Sequence, residues 1–118
     1  MPGIESAQPI PPAPGFSCAI RREPDRVVVT VEGDVDIATA PALYASLREA
    51  TGGPARSVVA DFGDVGFIDS SGVQCVLAAQ RDAQSLGTTL GVDRPRPNVL
   101  LVFDLLGLTD RLVVEGAS

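Results

Sequence analysis

Val65-Gly66-Phe67-Ile68-Asp69-Ser70-Ser71-Gly72-Val73 changes its hydrophobic period part-way along. Val65 to Ile68 reads as a short strand. From Val73 onward the apolar residues fall at helical spacing. Val73, Val76, Leu77, Ala83 and Leu86 lie on one side, and Gln80, Arg81, Asp82 and Gln84 fill much of the other. Gly87 is a natural stop. Asp69-Ser70-Ser71-Gly72 is therefore a strand-to-helix turn, with the helix expected from about Ser71 to Leu86. A buried strand feeding an amphipathic helix is the building unit of an α/β domain.

Working outward, the same alternation recurs. Upstream, Phe16 to Arg21 reads as a strand, Glu23-Pro24-Asp25 as a turn, and the β-branched run Val27 to Val31 as a buried strand, which together predict an opening hairpin. Gly33-Asp34-Val35-Asp36 ends that strand. A helix follows, with Thr39 as its cap, Pro41 in its first turn and Leu43, Leu47 and Ala50 on its apolar face; Gly52-Gly53-Pro54 stops it. Ser57 to Phe62 is a further buried strand, separated from Val65 by a loop at Gly63-Asp64. Downstream, Thr88 to Val92 is a strand, Pro97 to Leu106 a helix and Leu112 to Val114 a last short strand. The fold class is α/β: an N-terminal β-hairpin leading into a mixed, largely parallel central sheet, with about three to four helices packed on it. Residues 1–14 carry five of the ten prolines and are expected to form a disordered tail, leaving 15–116 as one domain.

Composition removes several function classes. The formal net charge is −6, and Arg94 and Arg96 are the nearest thing to a basic pair, so a nucleic-acid partner is not expected. There is no histidine, which excludes Ser-His-Asp and Cys-His catalysis within the chain, and with only two cysteines a four-ligand zinc site is implausible. No Gly-rich phosphate cradle of the Walker type is present. Met1-Pro2-Gly3-Ile4-Glu5 has neither a basic n-region nor an apolar h-region, and the longest apolar run, Val99 to Phe103, is too short to cross a bilayer. A cytoplasmic, monomeric protein with no membrane insertion, no cofactor and no catalysis of its own is expected.

The chemistry concentrates in Asp69-Ser70-Ser71-Gly72. A helix N-terminus presents unpaired N–H groups and the positive end of the dipole, so it tolerates an added anion. A phosphate on a serine there brings about −1.5 to −2 charges and repels a partner docked over it, the more so if Asp69, Asp34 and Asp36 stand close by. On spacing alone the simpler account is a helix cap, because Asp and Ser are good N-caps.

The chain from about Phe16 to Val114 resembles a STAS domain of the bacterial anti-anti-sigma factor (anti-sigma factor antagonist) family. Gly33-Asp34-Val35-Asp36 is similar to that family's Gly-Glu-aliphatic-Asp. Phe67-Ile68-Asp69-Ser70-Ser71-Gly72 is similar to its phosphorylation loop, and Asn98 to Val113 to its third helix and last strand. The resemblance implies that Ser70 is the phosphorylated residue, with Ser71 the weaker candidate, in a switch loop shared with Asp69 and Gly72. It implies partner contacts through Asp34, Asp36, Val73 and Val76. The implied partners are an ATP-binding anti-sigma kinase, which supplies the ATP and metal, and a cognate phosphatase. The unmodified form would bind the kinase and release a sigma factor. Asp34 departs from the family's glutamate, and the family's C-terminal helix has no counterpart, which leaves open how one sheet face is covered. The alternative is a STAS subunit of a lipid-transport or stress-signalling scaffold assembly, not regulated by phosphorylation.

Three readings stay open on the residues alone. Asp34 and Asp36 either fix their loop or meet a partner. Val73 and Val76 fit the apolar stripe as well as a docking face. In the third helix, Val99, Val102, Phe103 and Leu106 form a stripe suited to burial, while Leu101, Leu105 and Leu108 form a second, expected in part to contact a partner or another copy. Cys75 and Cys18 read as buried structural thiols, with a redox role for Cys75 the less favoured account.

Overall fold

The computed structural model describes residues 15–114, so the expected tail at 1–14 lies outside the described residues. The β-branched run beginning at Val27 extends through Val35 as β2 (Val27–Val35) and pairs antiparallel with β1 (Ser17–Arg22). The turn between them is closed by the Glu23 N–H, which donates to the Arg26 carbonyl at 2.9 Å. The Nε groups of Arg26 and Arg21 both donate to the Glu23 carboxylate and hold it below the usual carboxylate range. β3 (Ser57–Ile68) and β4 (Thr89–Asp93) add in parallel, giving one mixed sheet in the order β1-β2-β3-β4. The helices are α1 (Ala40–Thr51), α2 (Ser70–Ser85), α3 (Pro97–Leu105) and α4 (Thr109–Leu112).

Strand alternation sends Val27, Val29 and Val31 to the same side as Val58, Ala60 and Phe62. All four helices feed that side: Leu43 and Leu47 from α1, Val76 and Ala83 from α2, Val99 and Phe103 from α3 and Leu112 from α4 share one buried cluster. Each fully buried Val, Leu or Phe contributes about 1.5–3 kcal/mol. Both cysteines are free, so this packing holds the fold without a covalent staple. The opposite sheet face answers the question of cover. It carries exposed or half-buried Ser17, Arg21, Thr30, Glu32 and Asp61, with Val28, Val59 and Gly91 buried in one row across it. Arg21, Arg26 and Arg94 rim the shallow cleft over those two valines, their stems screening apolar surface while the guanidiniums stay wet.

Four expectations change. Gly63-Asp64 is not a loop: β3 is continuous from Ser57 to Ile68. The register against β2 slips between Thr30 and Glu32, and again between Gly33 and Asp34, so β3 absorbs an extra residue at each point. The bulges turn two carbonyls outward, and α3 takes both: Arg96 Nε donates to Gly63 O at 2.9 Å and Asn98 Nδ2 to Gly66 O at 2.6 Å. The expected final strand Leu112 to Val114 is reduced to a single parallel bridge of Val113 to Val92, with Val114 N–H on Val92 O at 2.8 Å, because Leu112 closes a one-turn helix, α4. Gln80 is buried rather than solvated. Its Nε2 donates to Leu90 O at 3.0 Å and Arg111 O at 2.8 Å, which ties α2 to β4 and α4. Leu86 and Leu106 are exposed because each falls one residue beyond its helix, where helical spacing no longer aims a side chain inward.

Candidate functional site

The parallel strands β2 and β3 end side by side, with Val35 paired to Ile68. Both chains turn into a helix there, and the turns are stitched together, since the Asp69 N–H donates to Val35 O at 3.1 Å. Asp69 is the N-cap of α2: its backbone is extended, and its Oδ1 accepts the Gly72 N–H at 3.1 Å. This satisfies one of the orphan donors of the first turn and is worth about 1 kcal/mol. Gly72 is needed for room. A Cβ there would stand 2.6 Å from Val35 Cγ1 and 2.7 Å from Ile68 Cγ1. The helix N-terminus is thus pressed onto both strand ends. Ser70, the first helical residue, is left exposed, and Ser71 is half-buried. Ser70 is therefore a surface hydroxyl on a fixed backbone at the positive end of a 16-residue helix.

The neighbouring β2–α1 turn is fixed by Asp36. Its Oδ1 accepts the N–H groups of Ala38 at 2.9 Å and Thr39 at 3.1 Å. Thr39 is the N-cap of α1 as expected but makes no capping bond with its side chain; its hydroxyl donates to Asp34 O at 2.8 Å and accepts the Asp36 N–H at 3.0 Å, which ties the turn together. The open question about the two aspartates therefore divides. Asp36 holds the loop. Asp34 is exposed, and among the described residues its carboxylate makes no hydrogen bond; a Cβ on Gly66 would lie 3.3 Å from its Oδ1. Asp34, Asp36 and Asp69 all belong to these two strand ends. Among the described residues none of the three is ion-paired; the ion pairs there join Arg21, Arg26, Arg48, Arg94 and Arg96 to Glu23, Asp82, Asp61 and Asp64.

The structure corrects the partner-facing role given to Val73 and Val76. Val73 is 3% exposed and Val76 fully buried, because the apolar stripe of α2 packs on the sheet and α1. Apolar surface at this end comes from Ile37, 78% exposed in the β2–α1 turn, and Phe67, 47% exposed beside Asp34 in the register. Neither was singled out in the sequence. Alternation signals Phe67, since Ile68 points inward and its neighbour must point out. Ile37 sits in a turn with no period to reveal it. Cys75 lies behind the site. Burial pushes its thiol up to about 12, the nearby Cys18 adds a little, and Sγ donates to Ala40 O at 3.4 Å. It is a core thiol, not a surface nucleophile.

Among the described residues, no three His, Cys, Asp or Glu side chains are grouped to hold a metal ion, and no helix is long and apolar enough to cross a membrane. The geometry offers one chemical handle, the Ser70 hydroxyl, with acidic and apolar groups around it.

Residues 18–115 match the family described as Mlab, STAS domain. No curated protein matches in sequence. Among solved structures, an anti-sigma factor antagonist from Mycobacterium paratuberculosis is 24% identical, with 90% of this chain and 92% of that chain covered and a TM-score of 0.77. The antagonist SpoIIAA in its unphosphorylated form is 23% identical, with 85% and 90% covered and a TM-score of 0.70. Bacillus SpoIIAA in its phosphorylated form is 22% identical, with 85% and 93% covered and a TM-score of 0.64. At these identities the likeness speaks to the fold alone. With the family match running over nearly the whole described chain, this protein belongs to the STAS domain family.

Proposed function

We propose that the protein is an anti-sigma factor antagonist switched at Ser70. In its unmodified form it docks an ATP-binding anti-sigma kinase through the surface around Ser70, and the occupied kinase releases its sigma factor. The kinase transfers the γ-phosphoryl of its ATP to Ser70 Oγ; the hydroxyl proton leaves and ADP is released. A cognate phosphatase restores the hydroxyl. ATP and metal belong to the kinase, so this chain carries no cofactor and acts as a regulator in the bacterial cytoplasm.

The observation that carries the reading is the exposed Ser70 hydroxyl at the first position of α2, at the same two strand ends as Asp69, Asp34 and Asp36, which among the described residues have no paired cation. A phosphate at that point adds about −1.5 to −2 charges to a surface that is already acidic. The helix N-terminus accommodates it, so the fold stays. A partner docked there meets a buried like-charge or unpaired charge, which costs several kcal/mol. Phosphorylation therefore blocks docking without unfolding anything. That the related SpoIIAA is described in phosphorylated and unphosphorylated forms supports the reading.

The alternative is a STAS subunit of a lipid-transport or stress-signalling assembly that uses the same end of the domain without modification. It is kept because the matching family is described by Mlab and not by the antagonists. Ser70→Ala and Ser70→Asp baits in lysate of the native host separate the two. An ATP-binding anti-sigma kinase held by the Ala bait and lost by the Asp bait is the expected result. A transporter or scaffold component held equally by both would replace the proposal with the alternative.

A further inference from the structure

α3 buries Val99 and Phe103 against β3 and turns Leu101 and Leu105 to solvent, 54% and 77% exposed, with Leu106 at 54% just beyond its end. Single exposed leucines are ordinary. Three within two turns form a patch, and these side chains add almost nothing to folding, since Lys, Glu or Gln would serve the helix as well. The patch is not isolated. Asn98, one turn before Leu101 on the same helix face, donates to Gly66 O at 2.6 Å, and the next residue of β3 is the half-exposed Phe67. Asp69 and Ser70 follow after Ile68. The start of α3 is thus tied to the stretch of β3 that carries Phe67 into the turn, and we read Phe67 and the exposed leucines as one apolar ridge.

The size of the ridge identifies its occupant. Taking about 200 Å² for a fully open large apolar side chain, Phe67 and the three leucines expose roughly 460 Å². A stable protein–protein contact needs about 800 Å² from each partner. The ridge alone is too small to hold a second copy, and a net charge of −6 works against self-association. Joined to the Ser70 surface across Phe67, it completes a footprint of ordinary size. We propose that α3 is the second half of the docking surface. One transient protein partner engages both halves, setting a basic rim against Asp34, Asp36 and Asp69 and an apolar groove over Leu101 and Leu105. This rests on the reading of the Ser70 surface given above. The two halves have different duties. Leu105 lies seven residues beyond Asn98, about 10 Å along the helix, which is about one Debye length. The ridge supplies affinity that the phosphate barely touches, while the Ser70 half supplies the switch.

The test uses the full chain and the purified anti-sigma kinase recovered with the Ser70→Ala bait, titrated by calorimetry. The variants are Leu101→Ser/Leu105→Ser, Ser70→Asp and, as a control at the far end of α2, Leu86→Ser. The leucine pair is expected to weaken binding at least tenfold with an unchanged melting temperature, while Leu86→Ser binds as wild type. Binding of the leucine pair at wild-type strength, with Ser70→Asp still defective, overturns the ridge and leaves the switch standing. Loss in the leucine pair with Ser70→Asp unaffected supports the ridge and removes the switch. Sedimentation velocity of the chain alone supplies the remaining outcome: a dimer at tens of micromolar that dissolves in the leucine pair would assign the ridge to a second copy and overturn the proposal.

Discussion

Gly72→Ala tests whether the switch turn is held by close packing. Alanine normally stabilises a helix by about 1 kcal/mol relative to glycine, so propensity alone raises stability. The packing says the reverse. The new methyl would lie 2.6 Å from Val35 Cγ1, 2.7 Å from Ile68 Cγ1 and 3.1 Å from Val35 O. Val35 and Ile68 are 0% and 3% exposed, and a backbone carbonyl cannot rotate away, so the N-terminus of α2 must lift off the strand ends. Overpacking of this kind costs about 1–3 kcal/mol, and contacts with a methyl, a methylene and a carbonyl belong near the top of that range. The net is a destabilisation of about 1–2 kcal/mol. For a domain of this size that lowers the melting temperature by about 5–15 °C. Gly66→Ala is the control, because its Cβ would meet only the end of the exposed Asp34 side chain at 3.3 Å. Thermal unfolding followed by circular dichroism reads both. An unchanged or raised melting temperature for Gly72→Ala would refute the reasoning, since it would mean that α2 does not press on β2 and β3 as described.

Other perturbations follow from the same contacts. Asp69→Ala removes the cap on Gly72 and should cost about 1 kcal/mol in urea denaturation, while Asp69→Asn keeps most of it. Gln80→Leu strips partners from Leu90 O and Arg111 O inside the fold and should cost about 2–3 kcal/mol by the same assay, against no effect if the side chain were solvated. Cys75 should react with a thiol reagent at pH 8 only as fast as the protein opens. Because the folded thiol titrates at about 12 and the unfolded one near 9.0, the unfolded state loses the proton first; stability present below pH 9 should fall as pH rises towards 12, most simply seen by comparison with Cys75→Ala.

Much of the fold was legible because long periodic segments announce themselves. The stripe from Val73 to Ala83, the stop at Gly87 and the β-branched run from Val27 gave a helix, its end and a central strand where the structure has them. Gly63 misleads because a glycine punctuates a bulged strand and a loop alike; only the pairing partner distinguishes them. The segment after Leu108 was too short for any period. Gln80 looked solvated because a polar residue on a helix carries no sign of the carbonyls that will receive it. The turn itself was readable as a cap and a surface serine. The apolar residues at this end were not, since Ile37 and Phe67 are brought to the same end of the sheet only through the pairing of β2 with β3. Val73 and Val76 fit the core and a docking face equally well by spacing, and burial decided between them.

The central claim is that charge on Ser70 decides whether a partner docks. It is tested most directly by preparing the protein fully phosphorylated at Ser70 with the purified anti-sigma kinase proposed as its partner and measuring the kinase affinity of that form beside the unmodified one at physiological salt. The account expects the phosphorylated form to bind at least a hundredfold more weakly, with the two forms equally folded by circular dichroism. Equal affinity of the two forms, or phosphate incorporated only elsewhere in the chain, would contradict it.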